Sequence, residues 1–325
     1  MKTKNEASVV IPVYNSSSYI AETIESVALS CSEITFEIIV VDDVSDDIEK
    51  LRRILKKYSY VRLIEKCNKS NASESRNIGI QNAQYNYIFL LDADDFFTKD
   101  YVNHRLNLMQ SKNYGVFFGA YNAVSPNGIA KPHILQYSGN DMREYLFTQG
   151  GDIRTSTISI NRAHHKDTLF DEKQWKHQDW GFGIRCFNNN EDIYYDNVPL
   201  INICSGRHFQ MSGKMNIEAS KYFIKQYLKD ASYYPSFVFM HYLKAVIQSD
   251  QKAIEYFDGL IINCDLTNKQ KIKYTLLKCI SSEFLFKYKV KSLKLIKKCV
   301  PDTFNIGLAI CGFFQEENSL QKYCH

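Results

Sequence analysis

Tyr87-Ile-Phe-Leu-Leu-Asp-Ala-Asp-Asp95 decides the reading of this chain. The apolar run from Ile88 to Leu91 stops at three carboxylates, Asp92, Asp94 and Asp95. A short run apolar at every position reads as a strand buried on both faces, as in parallel sheets. Ligands of open α/β sheets bind beyond the carboxyl ends of such strands. Three acids crowded at one strand end repel one another unless a cation sits among them, and oxygen donors suit Mg²⁺ or Mn²⁺. Asp94 and Asp95 are the expected metal-holding residues, with Asp92 beside them.

Working outward, Phe36-Glu-Ile-Ile-Val-Val41 is a second buried strand that runs into Asp42 and Asp43. The first strand, Ser8 to Tyr14, ends at Asn15 and a serine-rich turn, and Val61-Arg-Leu-Ile64 is another short strand. Between them Ile20, Ile24, Val27 and Ala28, and then Ile48, Leu51, Leu55 and Tyr58, follow helical spacing. A further helix is expected over Ser73 to Ala83, capped by Asn71 or Ser73. The alternation implies a mostly parallel, doubly wound α/β sheet flanked by helices. From about Met215 the strand signals fade into helical spacing, so the chain divides into a catalytic domain over 1–213 and a helical subdomain over 214–325.

At 325 residues and 45% hydrophobic, the chain can bury one large core and a smaller one. No stretch approaches the ~18 apolar residues of a membrane span. The N-terminus leads into a strand without a signal-peptide core, and nine scattered cysteines fit free thiols in a reducing compartment. A cytoplasmic protein is the expectation. A zinc site from Cys204 and His208 with His177 or Cys186 is a weak pattern. Lys269 to Lys298 holds ten lysines and one acid, Glu283, interleaved with apolar residues. This is either a solvated helical face or a surface for anionic lipid at the inner face of the plasma membrane. The run lacks arginine, the preferred reader of base edges, which argues against nucleic acid.

Four segments in series carry a family resemblance: Ser8-Val-Val-Ile-Pro-Val-Tyr-Asn15, Ile39-Val-Val-Asp-Asp-Val-Ser45, Ser75-Arg-Asn-Ile-Gly79 and Phe89-Leu-Leu-Asp-Ala-Asp-Asp95. Over residues 7 to 210 the chain resembles a family-2 glycosyltransferase of the GT-A fold. The resemblance implies inverting transfer of a sugar from a nucleotide-diphosphate donor to an acceptor hydroxyl. It also implies a divalent ion, Mn²⁺ or Mg²⁺, that neutralises charge on the leaving diphosphate. In that setting Asp43 would accept the N3–H of uracil, so a UDP-sugar is expected. Tyr14 would stack on the base, and Pro12 and Val13 would line the pocket through their backbone. Arg76 would reach the nucleotide, and Asp92 the ion or the ribose. Val44 departs from the glycine common in this turn and stiffens it.

Within His177-Gln-Asp-Trp-Gly-Phe-Gly-Ile-Arg185 the family's usual Glu-Asp pair is Gln178-Asp179. Asp179 therefore inherits the base role that the resemblance implies, with Trp180 and Phe182 as an apolar wall raising its pKa. Asp152 and Arg154 are candidate acceptor contacts. Gly206 to Ser212 resembles a closing loop in which His208 or Arg207 would meet the diphosphate. The acceptor is expected to be a glycan or a lipid-linked oligosaccharide, as in bacterial surface polysaccharide synthesis. The competing functions are a nucleotidyltransferase, a phospho-receiver switch and a non-catalytic nucleotide-sugar-binding relative. Ile11 to Ser18 lacks the glycines and basic residue of a nucleotidyltransferase phosphate loop. A receiver would need neither the Asp92–Asp95 cluster nor the Gln-Asp-Trp segment.

Overall fold

The computed structural model describes residues 5–204, 215–229 and 232–281. The chain runs through β1 (Glu6–Val13), α1 (Ile20–Ser30), β2 (Thr35–Asp42), α2 (Ile48–Leu55), β3 (Val61–Glu65), α3 (Ala72–Asn82) and β4 (Tyr87–Leu90). It continues through β5 (Phe96–Phe97), α4 (Tyr101–Ser111), β6 (Val116–Gly119), β7 (Tyr121–Val124), β8 (Ala130–His133) and α5 (Met142–Phe147). A single 3₁₀ turn, Thr155–Thr157, then leads to β9 (Ser159–Asn161), α6 (Gln178–Asn188), β10 (Ile193–Asp196) and β11 (Ile201–Cys204).

Seven strands form the main sheet in the order β10-β6-β9-β4-β1-β2-β3. β1 pairs in parallel with β2 and β4, β2 with β3, and β6 with β10. β9 is the antiparallel insertion, pairing with both β4 and β6. A smaller sheet, β5-β11-β7-β8, was not legible in the sequence. Its strands have two to four residues, too few to show an alternation.

Burial explains why the apolar runs read so clearly. Every residue of β1 from Ala7 to Val13 is buried. Val9, Ile11 and Val13 point toward Ile20, Ile24 and Val27 of α1, in one core with Leu51 of α2 and Val102 and Leu106 of α4. Each such side chain contributes about 1.5–3 kcal/mol when removed from water. On the opposite face α3 lies so close that a Cβ on Gly79 would come 2.2 Å from a methyl of Val10. The N-terminus of α3 is capped by Asn71, whose side chain accepts from Ser73 N–H at 2.8 Å and Glu74 N–H at 3.4 Å.

A tight backbone approach lies between β6 and β10, where Gly119 pairs with Asp196. A Cβ on Gly119 would sit 2.1 Å from the carbonyl oxygen of Asp196. Backbone cannot swing aside as a flexible side chain can. Gly119→Ala is therefore expected to cost about 1–3 kcal/mol. A thermal melt should show a fall of roughly 2–4 °C for each kcal/mol lost. An unchanged melting temperature would mean that the two strands separate freely.

Contacts divide the chain into two units, Met1–Leu146 with Gly151–Phe209, and Phe147–Gly150 with Gln210–His325. The regular elements among the second unit's described residues beyond Gln210 are all helices: α7 (Ile217–Tyr227), α8 (Tyr234–Gln248), α9 (Gln251–Ile261) and α10 (Asn268–Ser281). Its core stacks Phe223 on Phe237 at 5.1 Å, with Phe147 packed edge-on against both. No described helix is long and apolar enough to cross a membrane. Of the lysine-rich run, Lys271 and Lys278 are exposed on α10, and Lys278 pairs with Asp258 of α9 at 3.4 Å. Lys287 to Lys298 lie outside the described residues.

Candidate functional site

Because β1, β2, β3 and β4 run in parallel, their carboxyl ends open on the same edge of the sheet. Tyr14, Asp43, Lys66 and the acid cluster all follow those ends. The turns after β1 and β2 are tied together: Asn15 N–H donates to Ser45 Oγ at 2.8 Å, and Asp46 N–H to Asn15 Oδ1 at 2.8 Å. Asp42 accepts Ser45 N–H at 3.0 Å. Val44 adopts φ 59, the left-handed region that glycine takes without strain. The turn keeps its shape despite the β-branched side chain, because the hydrogen bonds around it hold it.

Asp43 stands beside Pro12 and Val13, its own N–H bonding the carbonyl of Val13 at 2.9 Å. Its Oδ1 accepts from Lys66 Nζ at 2.7 Å and from Ser70 N–H at 2.8 Å. Tyr14 is 40% exposed, with Lys69 Nζ 3.4 Å from its ring centre. One face of that ring is thus already engaged by a cation. A shallow cavity of ≈ 620 Å³ between Asn5, Glu6 and Ser32–Thr35 lies at the opposite, amino ends of β1 and β2. It contains none of these residues.

The acids after β4 divide into exposed and buried members. Asp92 and Asp94 are partly exposed, whereas Asp95 is buried. Asp95 Oδ2 accepts from Ser156 Oγ at 2.5 Å, and Oδ1 from Cys204 N–H at 3.0 Å. Burial raises its pKa well above the usual carboxylate range, and the charges of Asp94 and Asp92 raise it further. A divalent ion beside these carboxylates would relieve that repulsion. Among the described residues no three His, Cys, Asp or Glu side chains are gathered around a metal position. The set fits a cation held by Asp94 and Asp95 and completed by substrate phosphates, and it does not fit an all-protein cage.

Arg76 is buried at 5% exposure, which rules out a merely superficial arginine. Its guanidinium bridges Asp92 Oδ1 at 2.7 Å and Gln178 Oε1 at 2.8 Å. The acid cluster is thereby joined to the first turn of α6, where Asp179 follows Gln178. Asp179 Oδ1 accepts from Trp180 N–H at 2.9 Å. Burial pushes its pKa up to about 6, with Asp152 adding to the rise and Arg154 and Arg76 opposing it.

The expected apolar wall is only half correct. Phe182 is 1% exposed and stacks on Phe170 at 4.3 Å, facing the core. Two residues along a helix turn about 200°, so Trp180 and Phe182 cannot share a face. Trp180 stacks on His177 at 4.7 Å and donates its indole N–H to Asp152 Oδ1 at 3.2 Å. The other oxygen of Asp152 accepts from Tyr121 hydroxyl at 2.8 Å and Arg154 Nε at 2.6 Å. Both oxygens of Asp152 are thus engaged by protein donors. Tyr121 is itself buried and stacks on His133 at 4.9 Å.

The family model described as Glycosyl transferase family 2 matches residues 8–173 of this chain. The chain belongs to glycosyl transferase family 2. Over 189 residues it is 33% identical to the amylovoran biosynthesis glycosyltransferase AmsB of Erwinia amylovora, covering 55% of this chain and 62% of that protein. Over 138 residues it is 31% identical to the poly(ribitol-phosphate) β-N-acetylglucosaminyltransferase TarP of Staphylococcus aureus, covering 42% of each. The chain spans less than two thirds of the first curated relatives, down to about a quarter for some. A crystal structure of S. aureus TarS in complex with UDP-GlcNAc superposes with a TM-score of 0.54 at 16% identity, over 90% of both chains. The fold is GT-A.

Three residues of this family 2 site escaped the sequence reading. Gln178 looked like a lost acid, but it receives Arg76 and donates to Gln174 carbonyl at 2.9 Å. Ser156 binds both Asp92 N–H and the Asp95 carboxylate from the 3₁₀ turn, within a segment that carried only a weak acceptor-side signal. Lys66 had no signal beyond its place after a strand. His208, Arg207 and the expected closing loop lie outside the described residues. Of the zinc candidates, Cys186 is buried, while the backbone N–H of Cys204 serves Asp95.

Proposed function

We propose that this protein transfers a sugar from a UDP-linked donor to an acceptor hydroxyl, with inversion and with help from a divalent ion. The observation that carries the reading is the Asp92–Arg76–Gln178 bridge. It sets a carboxylate of pKa about 6, Asp179, one residue from a group bonded to the acid cluster. A carboxylate near neutrality suits general-base work. Asp179 takes the acceptor's hydroxyl proton while that oxygen forms its bond to the anomeric carbon. The bond from that carbon to the diphosphate breaks, and UDP leaves with the electron pair. Inversion follows from displacement in one step. Mn²⁺ or Mg²⁺, held by Asp94 and Asp95, would neutralise charge on the leaving phosphates.

Asp43 and Tyr14 receive the uracil, with Pro12 and Val13 beside them. The stacked, partly exposed rings of Trp180 and His177 suit the apolar face of an acceptor sugar. The lysine excess in the C-terminal third supports an acceptor at an anionic membrane surface, such as a lipid-linked glycan of a surface polysaccharide. The names of AmsB, for amylovoran biosynthesis, and of TarP, for a poly(ribitol-phosphate) substrate, support a polymer-building pathway.

A screen of nucleotide sugars with Mn²⁺ or Mg²⁺, read by nucleotide release, tests the reaction. UDP-linked donors should be consumed in preference to GDP-linked ones. Titration calorimetry should show UDP affinity falling about tenfold when EDTA is added, the loss of one good charge interaction worth ~1.4 kcal/mol. Equal affinity with and without EDTA would remove the metal from the reading. Tighter binding of GDP would overturn the uracil assignment.

A further inference from the structure

Lys66 carries a charge in a nearly closed environment. Its side chain is 5% exposed, and its ammonium meets Asp43 Oδ1 at 2.7 Å, Glu74 Oε2 at 2.8 Å and the hydroxyl of Ser70. An ammonium has three hydrogens, and here each has an acceptor. Ser70 contributes its backbone N–H to the same Asp43 oxygen at 2.8 Å. Asp43 Oδ1 therefore carries two donors, a full complement for a carboxylate oxygen. Its Oδ2 has no hydrogen-bond partner among the described residues. The lysine is not in the line of any substrate, because its amino group is enclosed by these three partners.

This arrangement decides what Asp43 can read. A free carboxylate accepts two parallel N–H groups, and guanine offers such a pair on one edge, N1–H and the exocyclic amine. Uracil offers a single imide N–H between two carbonyls. We propose that Lys66 is a specificity-determining positioning residue: by occupying Oδ1 of Asp43 together with Ser70 N–H, it leaves one open acceptor, matched to uracil and unable to pair both donors of guanine. The inference rests on the reading of Asp43 as the base-recognising carboxylate. Discrimination of this kind is strong because a polar group left unpaired in a closed site is costly.

The test begins with the wild-type protein and four probes: UDP, N3-methyl-UDP, GDP and inosine diphosphate, whose base lacks the exocyclic amine. Titration calorimetry should give GDP and inosine diphosphate affinities within about threefold of each other, since the amine finds no acceptor. GDP binding more than tenfold tighter than inosine diphosphate would overturn the inference. N3-methyl-UDP binding as well as UDP would instead sink the underlying assignment of Asp43. In Lys66→Met the donor KM should rise about tenfold with kcat within about twofold, and the preference for UDP over GDP should narrow about tenfold. Lys66→Arg should restore most of that preference. A Lys66→Met protein that loses UDP and GDP equally, or that keeps wild-type preference, would show a structural role alone. If Lys66→Met fails to fold, the inosine comparison decides the question by itself.

Discussion

Asp179→Asn is expected to lower kcat by ~10²–10⁴-fold while leaving the UDP dissociation constant within about twofold. A general base contributes in that range, and it acts on the transition state more than on donor binding. Turnover above about a tenth of wild type would remove Asp179 from the base role. The pH profile gives an independent check. The base must be ionised, and its pKa is raised to about 6. Hence kcat/KM should fall about tenfold per pH unit as pH drops below 6, and the variant should lose that limb. The sign for stability is opposite. Between the unfolded value near 3.8 and the folded value near 6, the native state holds the extra proton, so stability declines as pH rises through this window. At pH 7 the ionised carboxylate is a burden on the fold, and Asp179→Asn should melt no lower than wild type. Loss of activity together with retained stability separates a catalytic role from a structural one.

Arg105→Met is expected to cost about 3–5 kcal/mol of stability, since it leaves the buried carboxylate of Asp196 without its main cation. The two side chains are 1% and 3% exposed and meet at 3.1 Å. The same guanidinium donates to Thr157 carbonyl at 3.1 Å and Ser159 Oγ at 2.9 Å, so it fastens α4, β10, β9 and the 3₁₀ turn together. His104 and Val198 N–H also bond Asp196, at 3.1 Å each, and would hold part of the loss. A melting temperature lowered by roughly 6–20 °C follows from the usual slope for a domain of this size. Arg52→Met, at a pair whose partners are 41% and 38% exposed, should change it far less, because water screens that pair. Equal effects from the two substitutions would refute the argument. The Ser156 contact to Asp95 lies on the turn that Arg105 secures, so residual activity in Arg105→Met should fall even where the fold survives.

The parallel strands were legible because their surroundings are uniform. β1, β2 and β4 are covered on both faces, so each is apolar at most positions. The buried acid within them, Glu37, is paired with Ser8 at 2.7 Å, and the other acids gather where the strands leave the core. The cap of α3 at Asn71 was legible for a local reason, a short polar side chain reaching amides two and three residues on. Trp180 and Phe182 misled because adjacency in sequence is not adjacency on a helix. The smaller sheet was invisible because β5 has only two residues, and no period can be counted over two.

By itself, then, the sequence determined the alternation of strands and helices from β1 to β4 and the strand ends at which carboxylates gather, and its family resemblance singled out Asp179 as the candidate base. Tertiary structure alone decided what each of those carboxylates is bonded to. Lys66 reaches Asp43 across 23 positions, Ser156 reaches Asp95 across 61, and Arg76 reaches Gln178 across 102. Local spacing encodes only which face of an element is apolar. The partners of a buried charge are fixed by how strands pair and helices pack, and that pairing brings together residues that no short-range pattern connects.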